Sequence, residues 1–100
     1  MDKYNGYKNK LTWIIALWFC NDEILFRHWR AVYRTPMRKK GQERQMTKYE
    51  LAEIMQNECE EEAENILNIQ HYDVGWVHDT LLHAIHEVDF IEVAEAILDE

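Results

Sequence analysis

The chain has 100 residues, 47% of them hydrophobic and 12% aromatic, with one proline and three glycines. That length holds one small domain rather than two, the apolar and aromatic content excludes a disordered chain, and so little proline and glycine argues against a turn-rich sandwich or barrel. The formal net charge of −8 disfavours a general nucleic-acid binder, yet it hides a division: residues 1–48 carry all eleven Lys and Arg against four Asp and Glu, a net +7, whereas residues 49–100 carry fifteen Asp and Glu and no Lys or Arg, a net −15.

In chain order, Asn5-Gly6 is a turn signal in a polar, aromatic opening. The opening shows no signal-peptide pattern, and the apolar run Leu11 to Cys20 is far shorter than the roughly 20 residues that span a bilayer. A cytosolic protein without membrane contact, with Cys20 and Cys59 as reduced thiols, is the plain reading, and a disulfide between the two is the alternative. Thr12 is expected to cap a helix through Cys20 that is apolar on every side, so it is either central or covered by a partner. Asp22 can cap a second helix over 23–34. Its inner stripe is Leu25, His28, Trp29, Val32 and Tyr33, and Arg27, Arg30 and Arg34 fall opposite. His28 reads as a core histidine. Thr35-Pro36 ends this helix, and residues 36–46 read as a basic, flexible loop.

Thr47-Lys48-Tyr49-Glu50 is a capping box and opens a helix to about Leu67. Leu51, Ile54, Met55, Cys59, Ala63, Ile66 and Leu67 form its predicted buried stripe. Asp73 can start a fourth helix over 74–87, with Val74, Val77, Leu81, Ala84, Ile85 and Val88 inward. Asp89 and Glu92 repeat the cap-and-Glu pattern, and Phe90, Ala94, Ile97 and Leu98 line the last helix. The prediction is an all-α chain, residues 1–100, forming a single compact domain of about five helices.

On the third helix, Glu50, Glu53, Glu60, Glu61 and Glu64 share one face, with Asn57 in the gap and Glu58 and Glu62 flanking. Carboxylates one turn apart stand about 5.4 Å apart along the axis, near the spacing of phosphates on a nucleic-acid strand. Such a face fits the basic groove of a nucleic-acid-binding protein. The plainer reading is a solvated face that keeps a small protein soluble. Repulsion at i, i+4 with no lysine to relieve it counts against that reading. A secondary basic patch, Arg27, Arg30, Arg34, Arg38, Lys39 and Lys40, leads toward Arg44. It can grip phosphates, or meet acidic residues of the same chain or of a second copy.

No catalytic constellation is visible. The chain has no Ser, no Gly-rich phosphate cradle, no Cys-x-x-Cys and no His-Glu-x-x-His. His78, His83 and His86 with Glu87 lack a metal-site pattern and read as surface residues. Neither an enzyme, a metal site nor a cofactor is expected.

The opening Tyr4-Asn5-Gly6-Tyr7-Lys8-Asn9-Lys10-Leu11-Thr12-Trp13, followed by Ala16-Leu17-Trp18 and Asn21-Asp22, resembles a family of small bacteriophage and plasmid proteins with no established activity. Its closing pattern is similar to Leu81-Leu82-His83-Ala84-Ile85 and Glu87-Val88-Asp89-Phe90-Ile91-Glu92-Val93-Ala94. Tyr7 and Phe90 stand where family members more often carry Trp, and residues 35–70 fall outside the resemblance. The resemblance implies a mobile-element protein acting inside a bacterium. A structural role is expected for the motif: Asn5-Gly6 turns the chain, Asn9 or Thr12 caps, and Trp13 and Trp18 anchor the core.

The expected function is therefore a non-enzymatic inhibitor, of anti-CRISPR or anti-restriction type. It would bind a host defence protein or ribonucleoprotein complex through the acidic face and block its nucleic-acid-binding surface. The alternatives are a nucleic-acid-associated accessory protein using residues 27–44, or a self-associating structural protein, a homodimer with helix 11–20 covered by its twin.

Overall fold

The computed structural model describes residues 3–39, 41–68 and 75–99. The described elements are α1 (Lys10–Asn21), α2 (Glu23–Arg34), β1 (Met37–Lys39), β2 (Gln42–Arg44), α3 (Lys48–Asn68), α4 (Gly75–Glu87) and α5 (Phe90–Asp99). The all-α prediction holds, with one small hairpin added. None of these helices is long and apolar enough to cross a membrane.

The chain opens with a tight turn. Tyr4 and Tyr7 exchange two backbone hydrogen bonds of 2.8 Å, and Asn5 (φ 48°) and Gly6 (φ 89°) both take positive φ between them. Paired positive φ values are the reason for Asn-Gly here. The cap of α1 is Asn9 rather than Thr12. Asn9 Oδ1 accepts from the Thr12 N–H at 2.8 Å and from the Thr12 hydroxyl at 2.7 Å. The helix therefore starts before Thr12, and the Thr12 side chain turns into the core, where it is fully buried. There its oxygen accepts the Asp89 N–H at 2.9 Å. Two neighbouring bonds join the same segments. Asn9 Nδ2–H donates to the Glu87 carbonyl, and the Lys8 N–H donates to Glu92 Oε1, both at 2.7 Å. The two sequence segments that carry the resemblance thus clasp each other.

This clasp seats α5 between α1 and α3, with α2 touching it as well. Phe90, Val93, Ala94 and Ile97 of α5 are buried against Leu51, Ala52 and Met55 of α3, with Ala16, Phe19, Trp29 and Met46 completing the core. So α5, and not the more apolar α1, is the central helix. Its buried stripe includes Val93, which the predicted stripe missed. α1 buries only Thr12, Ala16 and Phe19 and leaves Leu11, Leu17 and Trp18 exposed. Trp18 accordingly does not anchor the core.

One residue, Asp22, serves both helices at the α1–α2 corner. Its N–H donates to the Trp18 carbonyl at 3.0 Å, and its carboxylate accepts the Leu25 N–H at 3.0 Å. α2 then buries only Trp29. His28 is not a core residue: it is exposed, 3.1 Å from Glu58. Arg30 does not stay on the outer face with Arg27 and Arg34 but reaches the Ile97 carbonyl in the last turn of α5 at 3.2 Å.

Residues 36–46 are not simply a loop. β1 and β2 pair antiparallel, Met37 with Arg44, Arg38 with Glu43 and Lys39 with Gln42, and Gly41 (φ 77°) supplies positive φ beside the turn. Met37 is the one apolar residue among the six strand positions, so no alternation shows, which is why the hairpin is not legible as strands. The predicted capping box opens α3: the Glu50 N–H donates to Thr47 Oγ1 and the Thr47 N–H to Glu50 Oε1. Met55 and Ala63 are buried as expected and Ile54 and Cys59 half-buried, whereas the side chains of Ile66 and Leu67 lie outside the described residues. Asp73 and Val74, expected to open α4, lie outside them too. α4 buries no residue completely, and Leu81, expected inward, is exposed.

Thr12→Val conserves volume and removes the acceptor of the Asp89 N–H. We expect a loss of about 1–3 kcal/mol in urea unfolding, the usual cost of a buried donor left unpaired. Thr12→Ser, which keeps the hydroxyl, should lose less.

Candidate partner-binding surface

The acidic face of α3 divides into engaged and free carboxylates. Glu50 is engaged: Arg44 Nη1 and Nη2 donate to its two oxygens at 2.8 and 2.5 Å, beside the Thr47 N–H at 2.9 Å. The Arg44 guanidinium first, then the Thr47 N–H, lowers the Glu50 carboxyl to a pKa of about 2. Glu60 accepts from Gln56 Nε2 at 3.2 Å and lies 3.0 Å from His86 Nε2. Glu64 lies 2.5 Å from His78 Nε2. Glu53 and Glu61 are exposed and make no ion pair with another described residue, and so is Glu62 on the flank. The structure therefore leaves two of the five predicted contact residues available. Histidines from neighbouring helices stand against these carboxylates: His78 and His86 of α4 at Glu64 and Glu60, and His28 of α2 at Glu58. The eight-residue interval between His78 and His86, which puts both on one helix face, was the sequence signal for this.

These contacts also tie α4 down. The Glu64 hydrogen bond, followed by weaker help from Asp79, raises the pKa of His78 above its ordinary 6.5. A histidine with a raised folded-state pKa contributes stability that is complete below the unfolded value and is lost as pH rises through the folded value.

The basic patch is largely occupied from within. Arg27 pairs with Glu23 at 2.5 Å and Arg38 with Glu43 at 3.1 Å. Arg44 pairs with Glu50, and Lys48 Nζ lies 2.9 Å from Glu95 Oε2, so both bridge the basic and acidic halves. The Glu95 hydrogen bond raises the Lys48 pKa. Arg34 is exposed, whereas Lys40 and the side chain of Lys39 lie outside the described residues.

An apolar cleft of ≈ 830 Å³ opens between α1, α2, α3 and α4, floored by Ile15, Phe19, Leu25 and Ile85 and edged by Glu58, Glu61 and Glu62. Cys59 lines it, but burial first, and then Glu58, Glu60 and Glu62, push its thiol up to about 11, so it stays protonated and a poor nucleophile at neutral pH. Trp29 forms part of the floor, stacked on Phe19 at 5.2 Å and met edge-on by His28 at 4.7 Å. Its buried Nε1–H is without an acceptor among the described residues. Among the described residues no group of three or more His, Cys, Asp or Glu side chains is placed to hold a metal ion.

A family model described as a family of unknown function, DUF7249, matches residues 1–98. The chain belongs to this family. The match runs through residues 35–70 as well as the two clasped end segments. No curated protein and no solved structure matches the chain.

Raising the pH from about 6 to about 9 should lower the hydrogen-exchange protection of α4 amides in the wild type, as His78 loses its proton. His78→Gln should show weaker protection that is flat across the same range. Acidification should act on the other end of α3. As pH falls from 4.5 through about 2, Glu50 protonates and the Arg44 clamp opens. Arg44→Ala should move the Glu50 titration, followed by carbon-detected NMR, back toward 4.5.

Proposed function

We propose that this protein is a non-enzymatic inhibitor of mobile-element origin, working in the bacterial cytoplasm. Its target is a host defence complex of CRISPR-effector or restriction type, whose basic nucleic-acid-binding surface it covers. The observation that carries this reading is the pair of exposed carboxylates Glu53 and Glu61 on α3, without an ion pair among the described residues, within a half of the chain that holds no Lys or Arg. Eight helical residues separate them by about 12 Å. Glu50, Glu60 and Glu64, engaged by Arg44, His86 and His78, hold that face in place. A rigid anionic face meets a cationic groove without the ordering cost of a flexible tail.

The resemblance to bacteriophage and plasmid proteins supports the setting. The internal pairing of Arg27, Arg38 and Arg44 counts against direct use of the basic segment on phosphates.

The test is protection of an incoming plasmid in bacteria carrying a CRISPR effector or a restriction enzyme. The wild type should raise transformation, and Glu53→Lys with Glu61→Lys should abolish the effect at unchanged helix content by circular dichroism. Protection that survives the double reversal, or none from the wild type, overturns the reading. The purified protein should not retain duplex DNA at about 50 mM salt. Retention that falls steeply with added salt would instead assign the work to residues 27–44.

A further inference from the structure

The α1–α2 corner carries an apolar knob and, beside it, an apolar hole. The knob is Trp18, 61% exposed, and Ile24, 80% exposed, with Leu17 next to them. Leu11, seven residues before Trp18 on α1, is exposed as well. The hole is the ≈ 830 Å³ cleft, which Ile15 and Leu25 line from α1 and α2 and Leu81 and Ile85 from α4. A cleft of that size falls in the range of roughly 300–1,000 Å³ that encloses a compact apolar body.

We infer that the chain pairs with a second copy of itself, each copy seating Trp18 and Ile24 in the other's cleft.

Charge selects this occupant. The knob is followed on the exposed face of α2 by Arg34, and by Arg27, whose guanidinium is shared with Glu23 one turn back. The cleft is edged by Glu58 and by Glu62, which is exposed and has no ion pair with a described residue. An apolar body flanked by guanidinium groups therefore meets an apolar hole flanked by carboxylates, and both belong to this chain. The division of the sequence into a +7 and a −15 half has the same sense: the basic half of one copy faces the acidic half of the other.

Position selects the symmetry. Trp18 is chain neighbour to Phe19, and Ile24 to Leu25, so knob and hole lie side by side. A surface holding a knob next to the hole that fits it can be satisfied reciprocally about a two-fold axis, which closes the assembly at two. The paired molecule keeps Glu53 of both copies outside the contact, with Glu61 at its margin. Glu61 lines the cleft and so is shared with the inhibitory reading, whereas Trp18, Ile24 and Leu81 belong to pairing alone, so their variants test pairing without touching Glu53 or Glu61.

Sedimentation velocity over a micromolar concentration series tests the pairing. The wild type should reach twice the 12.1 kDa chain mass. Trp18→Lys and Ile24→Lys replace exposed side chains, so the fold should survive by circular dichroism while self-association weakens about tenfold or more. Arg27→Glu and Glu62→Arg should each weaken pairing, and both in one chain should restore it. A Trp18→Lys chain keeps its cleft, and a Leu81→Arg chain keeps its knob. Mixed, they should associate more tightly than either alone. A strict monomer, a mass that grows past two copies, a dimer indifferent to Trp18→Lys and Ile24→Lys, or an unrestored charge swap overturns the inference.

Discussion

The Thr12 hydroxyl donates to Asn9 Oδ1 and accepts from the Asp89 N–H, and on this one buried oxygen the rest of the molecule depends. It links the cap of the first helix to the start of the last. Through it, α5 is held between α1 and α3, where Val93, Ala94 and Ile97 become the most deeply buried stripe of the chain. A local rule, that an Asn can cap a helix, thereby becomes a long-range one. Because Asn9 does the capping, Thr12 is released to bond 77 residues away. Residues 8–12 and 87–92 form one structural unit, which explains why recognisable patterns stand at both ends of the sequence.

Around that clasp the charges are sorted by who finds a partner. Carboxylates of α3 next to α4, α2 and the hairpin are taken up by His78, His86, His28 and Arg44, and Glu53, Glu61 and Glu62 have no ion pair among the described residues. The individual surface pairs, screened by solvent, contribute little to stability. Their larger consequence is orientation: they set the hairpin against α3, hold α4 at the edge of the cleft, and leave Glu53 and Glu61 as the outward charges. They also make the two ends of α3 respond to opposite pH extremes, since Glu50 is weakened by acid and His78 by base.

The sequence determined where α2, α3 and α5 start, because each of these begins with a side chain that satisfies its free amides. Asp22, the Thr47–Glu50 box and Asp89 all cap where their spacing indicated. It also determined the uneven charge, which is a matter of counting, and most of the buried stripes of α3 and α5, which follow from helical period. What it held less visibly was the hairpin, whose pairing is backbone hydrogen bonding between residues with no apolar pattern, and the burial of Val93, whose position counts as inner only once α1 and α3 flank α5.

Tertiary structure alone decided which apolar helix is central and which charges are free. α1 has the most apolar sequence, yet α5 occupies the middle, because centrality depends on having neighbours on both sides and not on hydropathy. Five glutamates share a face by spacing, yet whether each stands free depends on residues up to 26 positions away, such as His86 at Glu60. Periodicity places a side chain on a face; only packing tells what that face meets.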